Sequence, residues 1–210
     1  MVTRIIMAGG TGLVGGLLTA RLRRHPDVTL DSLVRNPRQP VERKVDFAAL
    51  AALPTAPADV AICCLGTTRR AAGSAAAFRR VDHDYVLAFA RLARDAGAHH
   101  FITVSSVGAG GRGLYLATKG EAEAGVATLG FDRVDILRPS LLLGPRAERR
   151  PGEWLAQRIA PLLDPLLPGP LGRYAALDAA IVAAAIDRLT TCTAPGVYRH
   201  HVPDIRRLAS

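Results

Sequence analysis

Apolar residues along the chain fall alternately into short unbroken runs and into sets with helical spacing, and the two patterns predict strands and helices in turn. Thr3–Ala8 (TRIIMA) is a short run stopped by Gly9 and Gly10, as a buried strand would be. Leu13, Leu17, Leu18 and Leu22 then share one side of a helix over Leu13–Arg24, which His25-Pro26-Asp27 ends. Val28–Arg35 reads as a second strand, cut off by Asn36-Pro37. Asp59–Leu65 (DVAICCL) is apolar almost throughout and ends at Gly66, the pattern of a strand covered on both faces. A helix over Ala75–Ala96 closes at Gly97, a strand follows at Phe101–Ser105, and a helix over Leu114–Leu129 ends at Gly130. Arg133–Leu137 is a further strand that meets Pro139. Strands alternating with helices of roughly 10 to 20 residues imply an α/β fold with a parallel sheet and right-handed crossovers, doubly wound in the Rossmann manner.

After Pro139 the pattern changes. Gly144–Gly152 and Pro161–Gly172 are rich in Pro, Gly and Arg, with a helical segment around Trp154–Ile159 between them. A helix over Leu177–Leu189 and a last strand over Val197–Val202 complete the chain. With 210 residues, no repeat and no linker, one domain over 1–210 is expected, in which residues 140–175 form a short C-terminal substrate region.

Composition changes this picture only at the margins. The net charge is +9, but the arginines are scattered and no basic run is interleaved with aromatics, so specific nucleic-acid binding is not expected. Three cysteines, two of them the adjacent Cys63 and Cys64, offer neither a disulfide framework nor metal-ligand spacing. No signal peptide or membrane span is visible, and a cytoplasmic location is the expectation.

Candidate chemistry begins at Gly9-Gly10-Thr11-Gly12-Leu13-Val14-Gly15, between the first strand and the first helix. The glycines read as GxGxxG through Gly10, Gly12 and Gly15, or as GxxGxxG through Gly9, Gly12 and Gly15. Either way they permit a tight turn and a close backbone approach to a pyrophosphate, and the helix start offers free N–H groups to the anion. A dinucleotide is the implied ligand. NAD sites place a carboxylate about 20 residues past the glycines, at the end of the second strand. Arg35 holds that place here, and Asp31 lies too early, inside the strand. A guanidinium grips a 2′-phosphate bidentately, so NADP(H) is expected rather than NAD(H).

Tyr115 and Lys119 stand four residues apart at the start of a helix, on one face. An ammonium beside a phenol favours the phenolate, which suits the pair to passing a proton to or from a carbonyl oxygen. Lys119 is one of only two lysines among 27 basic residues, and an arginine would be bulkier and forked. Ser105 and Ser106 end the preceding strand; Ser106 is the expected carbonyl anchor, with Ser105 the alternative.

In that order these residues resemble the atypical branch of the short-chain dehydrogenase/reductase superfamily. More narrowly, Cys63-Cys64-Leu65-Gly66-Thr67-Thr68-Arg69, Arg80-Val81-Asp82 with Asp84-Tyr85-Val86-Leu87, Leu114-Tyr115-Leu116 with Lys119-Gly120-Glu121, and Arg150-Pro151-Gly152-Glu153-Trp154-Leu155 are similar to the Tat-interacting oxidoreductase-like proteins. The resemblance implies extended NADPH, with Gly9, Thr11, Gly12, Leu13 and Val14 near its phosphates and Arg35 near the 2′-phosphate. It places Leu65, Gly66 and Thr67 along the ribose and adenine side, Lys119 at the nicotinamide ribose and Pro139 near the nicotinamide. Two features depart from the pattern: only nine positions separate Ser106 from Tyr115, and Asp82 stands where many relatives carry asparagine. Two functions are open: an NADPH-dependent oxidoreductase acting on a small carbonyl or alcohol, or an NADPH-binding regulatory module with a protein partner and little turnover.

Overall fold

The computed structural model describes residues 2–144 and 169–210. The helical segment expected around Trp154–Ile159 and most of the substrate region expected at 140–175 lie outside the described residues. Strand β1 (Thr3–Ala8) leads through helix α1 (Leu13–Leu22) to β2 (Val28–Val34) and the three-residue β3 (Glu42–Lys44). Strand β4 (Val60–Cys63), β5 (His100–Val104) and β6 (Arg133–Leu137) follow. Two short strands, β7 (Leu142–Leu143) and β8 (Leu177–Asp178), pair separately, and β9 (Gly196–His200) is the last.

The main sheet runs β3-β2-β1-β4-β5-β6-β9, and every neighbouring pair is parallel. The chain winds outward from β1 to β3, then returns to β4 on the other side of β1. In open α/β sheets ligands bind at that reversal, outside the carboxyl ends of the strands. The register aligns those ends: Ala8 lies opposite Leu33 on one side and Cys63 on the other.

Both faces of the sheet are covered, which explains the unbroken apolar runs. All four residues of β4 and all five of β6 are buried. On one face, helices α4 (Tyr85–Asp95) and α5 (Leu114–Ala127) cover a core that includes Phe89, Phe101 and Val126. On the other, α1, α6 (Ala179–Leu189) and α7 (Val202–Ala209) cover Leu18, Ile62, Ile186 and Ile205. Each such side chain, fully buried, contributes about 1.5–3 kcal/mol.

Three segments differ from the sequence reading, each for a local reason. Ala75–Ala96 is not one helix. After the short α2 (Arg69–Ala72), α3 (Ala75–Arg79) is capped by Ser74, whose Oγ accepts from the Ala77 N–H. A π-type turn over Arg80–Asp84 then precedes α4, and the wider turn carries Asp82 into the interior. The helix expected from Leu177 starts at Ala179, because Asp178 accepts the Ala180 N–H and Leu177 pairs with Leu142. The last strand stops at His200, and α7 follows with Pro203 in its first turn, where the missing N–H costs nothing. Among the described residues no helix is long and apolar enough to cross a membrane.

Candidate functional site

The glycine turn leaves β1 at the sheet's reversal point, and its three outer glycines do different jobs. Gly9 has φ +88, and a Cβ there would stand 2.5 Å from the Cys64 carbonyl carbon in the loop after β4. A Cβ on Gly15 would stand 2.1 Å from the Gly9 carbonyl oxygen, so Gly15 lets α1 press against the turn. Gly12 is the exception. A Cβ there would meet only the Gly9 carbonyl oxygen, at 3.3 Å, which leaves open space on its outer side. Gly12 is also the N-cap of α1 and caps it with no side chain, so the first-turn amides of Leu13 and Val14 lack a side-chain acceptor. This pattern matches GxxGxxG through Gly9, Gly12 and Gly15, while Gly10 packs against Ser32 and Met7.

Above this turn lies an open groove of about 670 Å³. Thr11, Gly12, Leu13 and Val14 form one side, Leu65, Gly66 and Thr67 another, and Ser105, Tyr115 and Lys119 the far wall. The structure thus brings the glycine turn, the loop after β4 and the Tyr115/Lys119 pair to one concavity, of a size that suits a small-molecule ligand.

Lys119 is 6% exposed, and its ammonium stands 2.9 Å from Asp82 Oδ1. The other carboxylate oxygen, Oδ2, accepts the Thr67 N–H at 2.8 Å, so Asp82 ties the groove loop to α5. Burial alone would push the lysine's pKa down. The Asp82 carboxylate and, next, Tyr115 outweigh it and hold Lys119 above its ordinary value. The ammonium is therefore permanent at neutral pH, and it sits directly under Gly66, within 3.7 Å of where a Cβ would be. Tyr115 is 44% exposed at the groove and leans on the buried Phe78, ring centroids 5.7 Å apart. Burial pushes the Cys63 thiol up to about 11, and that of the groove-lining Cys64 further still, so neither is a thiolate nucleophile.

The serines separate. Ser105 lines the groove, but its Oγ donates to Glu123 Oε1 at 2.5 Å, and Glu123 is also held by Arg138. Ser106 is half-buried, is not among the groove-lining residues described, and donates to the Val107 carbonyl at 3.2 Å. Pro139 is buried behind the end of β5, where its carbonyl accepts the Val107 N–H. Arg35 stands exposed just past the end of β2 and makes no ion pair among the described residues. Asp31 is turned instead to Arg43 of β3, at 2.7 Å. A second hollow of about 520 Å³ lies at the opposite end of the sheet, beside Arg21, His25 and Asp187. There Arg21 and His25 both stand 3.1 Å from Asp187.

Three contributors were not among the residues singled out from sequence as site-forming: Asp82 as the partner of Lys119, Phe78 under Tyr115, and Glu123 behind Ser105. Asp82 alone left a trace, as the acidic residue in a position where asparagine is usual.

The fold and this groove define a Rossmann-type α/β protein with a ligand seat at the switch point. No family model matches the chain. It is 36% identical to the protein fmp52, mitochondrial, of Emericella nidulans over 176 residues, covering 74% of each chain. It is 34% identical over 198 residues to the protein of the same name from Aspergillus niger, covering 86% of this chain and 84% of that one. A 102-residue stretch is 56% identical to rat HTATIP2, 48% of this chain and 42% of that protein. The chain belongs to the family of the fmp52 proteins. Solved structures with the same fold include human epimerase family protein SDR39U1 with NADPH (TM-score 0.67, 18% identity, 96% of this chain and 75% of that one). Another is a UDP-N-acetylglucosamine 4-epimerase from Methanobrevibacter ruminantium (TM-score 0.72, 15% identity, 99% and 80%). The expected cytoplasmic location is overturned by the relatives, because the fungal ones are designated mitochondrial.

Proposed function

We propose that the protein is an NADPH-dependent oxidoreductase of the short-chain dehydrogenase/reductase type that acts on a small carbonyl or alcohol. The observation that carries this reading is the single groove shared by the uncapped start of α1 and the Tyr115/Lys119 pair. The residues present fit a dinucleotide: Gly12 leaves room, the Leu13 and Val14 amides offer donors, and the exposed Arg35 stands past β2 for a 2′-phosphate. Gly9 and Thr11 complete the phosphate turn, Leu65, Gly66 and Thr67 line the ribose side, and Pro139 supports the nicotinamide end. A fold relative was crystallised with NADPH, and Arg35 argues for it over NADH here.

Reduced nicotinamide, when bound, supplies a hydride to the carbonyl carbon. Tyr115 gives its phenolic proton to the carbonyl oxygen and recovers one from solvent, which its half-exposed position allows. Lys119 keeps a fixed positive charge beside that oxygen and the ribose, and Asp82 holds it there. The anchor role expected of Ser106 is not carried forward. A hydroxyl has one proton to donate, and Ser106 gives its own to Val107, as Ser105 does to Glu123.

Tyr115→Phe should lower turnover of a responsive aldehyde by about 10²–10⁴-fold, followed by NADPH absorbance, with NADPH affinity unchanged by calorimetry. Undiminished turnover sinks the assignment of Tyr115. Tight NADPH binding with no turnover of any carbonyl in a broad panel would favour the regulatory module instead.

A further inference from the structure

Next to the groove is a smaller hollow of about 270 Å³, lined by Arg69, Phe78, Arg112, Leu114, Tyr115 and Leu116. Tyr115 walls both spaces, so a molecule seated in the hollow lies against the residue proposed to exchange the proton. The hollow has an apolar side, where Phe78 is fully buried and supports the Tyr115 ring. It also has a cationic side. Arg69 is the first residue of α2 and Arg112 lies in the turn before α5, so the fold brings two arginines from distant parts of the chain to one hollow.

Neither arginine is neutralised by a carboxylate among the described residues, unlike those that the fold pairs. Arg4 is paired with Asp59, Arg21 with Asp187, Arg43 with Asp31, Arg79 with Glu121, Arg133 with Asp135 and Arg138 with Glu123. Among the described residues Arg69 and Arg112 make no ion pair, and no acidic side chain lines their hollow. Two like charges facing one partly apolar space repel each other until an anion enters, and guanidinium forks match the oxygens of a carboxylate or phosphate. The volume suits such a group with a few attached carbons, since pockets for whole small molecules start at about 300 Å³.

We propose that this hollow is the head-group pocket of the substrate, and that the substrate is a carbonyl compound carrying an anionic group, carboxylate or phosphate. Arg69 and Arg112 hold the anion, Phe78 and Leu114 pack its carbon frame, and the carbonyl is left facing Tyr115. The anion is unchanged by the reaction; the carbonyl carbon gains the hydride of the reduced dinucleotide and its oxygen gains the Tyr115 proton. The reaction rests on the function proposed above, whereas the anion site does not need it.

The test uses 4-carboxybenzaldehyde, its neutral methyl ester and 4-formylphenyl phosphate as substrates, with the unreactive 4-(hydroxymethyl)benzoate as a calorimetric probe. The wild type should prefer a charged aldehyde to the ester by on the order of tenfold to a hundredfold in kcat/KM, the worth of one charge-assisted hydrogen bond. The carboxylate and phosphate arms decide which head group fits. Arg69→Gln and Arg112→Gln should each erase most of that preference through KM, with NADPH affinity and Tm unchanged because both side chains are exposed. Equal use of acid and ester, or a preference that survives both substitutions, overturns the proposal. If no aldehyde turns over, calorimetry decides separately: hydroxymethylbenzoate bound by the wild type and lost in the double variant supports the pocket and refutes only the redox reading. No binding to the wild type refutes the pocket.

Discussion

Two aspartates, Asp82 and Asp135, are each buried almost completely, yet the structure treats them in opposite ways. Asp135, in the middle of β6, is saturated. His100 Nε2 meets it at 2.7 Å, His200 Nε2 at 2.6 Å, and Arg133 grips both its oxygens. These partners come from β5, β9 and β6 itself, so one carboxylate clasps three adjacent strands. Burial would raise its pKa, but the two histidines and Arg133 together hold it far below the usual carboxylate range. Asp82 has one cation, Lys119, and one backbone N–H, from Thr67, and all three residues line the open groove. A charge tied on every side can only hold the fold together. A charge with a single cation at the edge of an open groove can tune chemistry, because a ligand shares its partner.

The contrast can be broken at either end. The largest effect is expected for Asp135→Ala, which leaves Arg133 buried beside two histidines without its counter-ion. Removing one partner of a buried pair costs about 3–5 kcal/mol. Denaturant unfolding should show that loss, with the strand edge at β9 losing hydrogen-exchange protection first. A change under about 1 kcal/mol would mean that the clasp is ornamental.

Asp82→Asn should cost the fold less than Asp135→Ala and damage the chemistry more. The amide oxygen can still accept the Thr67 N–H, but Lys119 loses the charge that offsets its burial, and its pKa should fall. We expect kcat to drop by roughly tenfold to a hundredfold, with the alkaline limb of the pH–rate profile moved to lower pH. An unchanged profile with reduced stability would make Asp82 a second structural aspartate.

The smallest effect concerns pH and a surface pair. Asp59 is held down to about 2, first by its hydrogen bond from Arg4, 2.5 Å away. A carboxyl whose folded pKa is depressed adds stability above its unfolded value and loses it as pH falls through the folded one. The Tm should therefore fall from about pH 4 downward, and Asp59→Asn should flatten only the part of that fall between about pH 4 and 2. Asp135, titrating lower still, shares that decline and carries it on below about pH 2.

Much of this architecture was legible in the residues, for physical reasons. A strand covered on both faces must be apolar without interruption, and Val60–Cys63 could not be mistaken for a solvent-facing segment. The glycine turn is readable because backbone contact at Gly9 and Gly15 admits no side chain at all. Tyr115 and Lys119 are readable because four residues of helix bring them to one face. Asp82 was not. Its inward direction depends on the π-type turn at Arg80–Asp84, where one wider turn changes the phase of the helix and no periodicity in the sequence marks it. The final helix was hidden by Pro203, which reads as a breaker everywhere except in a first turn. Phe78 carries no mark in the sequence; its contact with Tyr115 alone gives it a place beside the site.

The most direct test is a crystal structure of the protein soaked in NADPH. The account predicts the pyrophosphate against the Leu13 and Val14 amides over Gly12, the 2′-phosphate at Arg35, and the nicotinamide on the side of Tyr115 and Lys119. An empty groove at saturating NADPH, or a nucleotide bound with Tyr115 turned away from its nicotinamide, would contradict it.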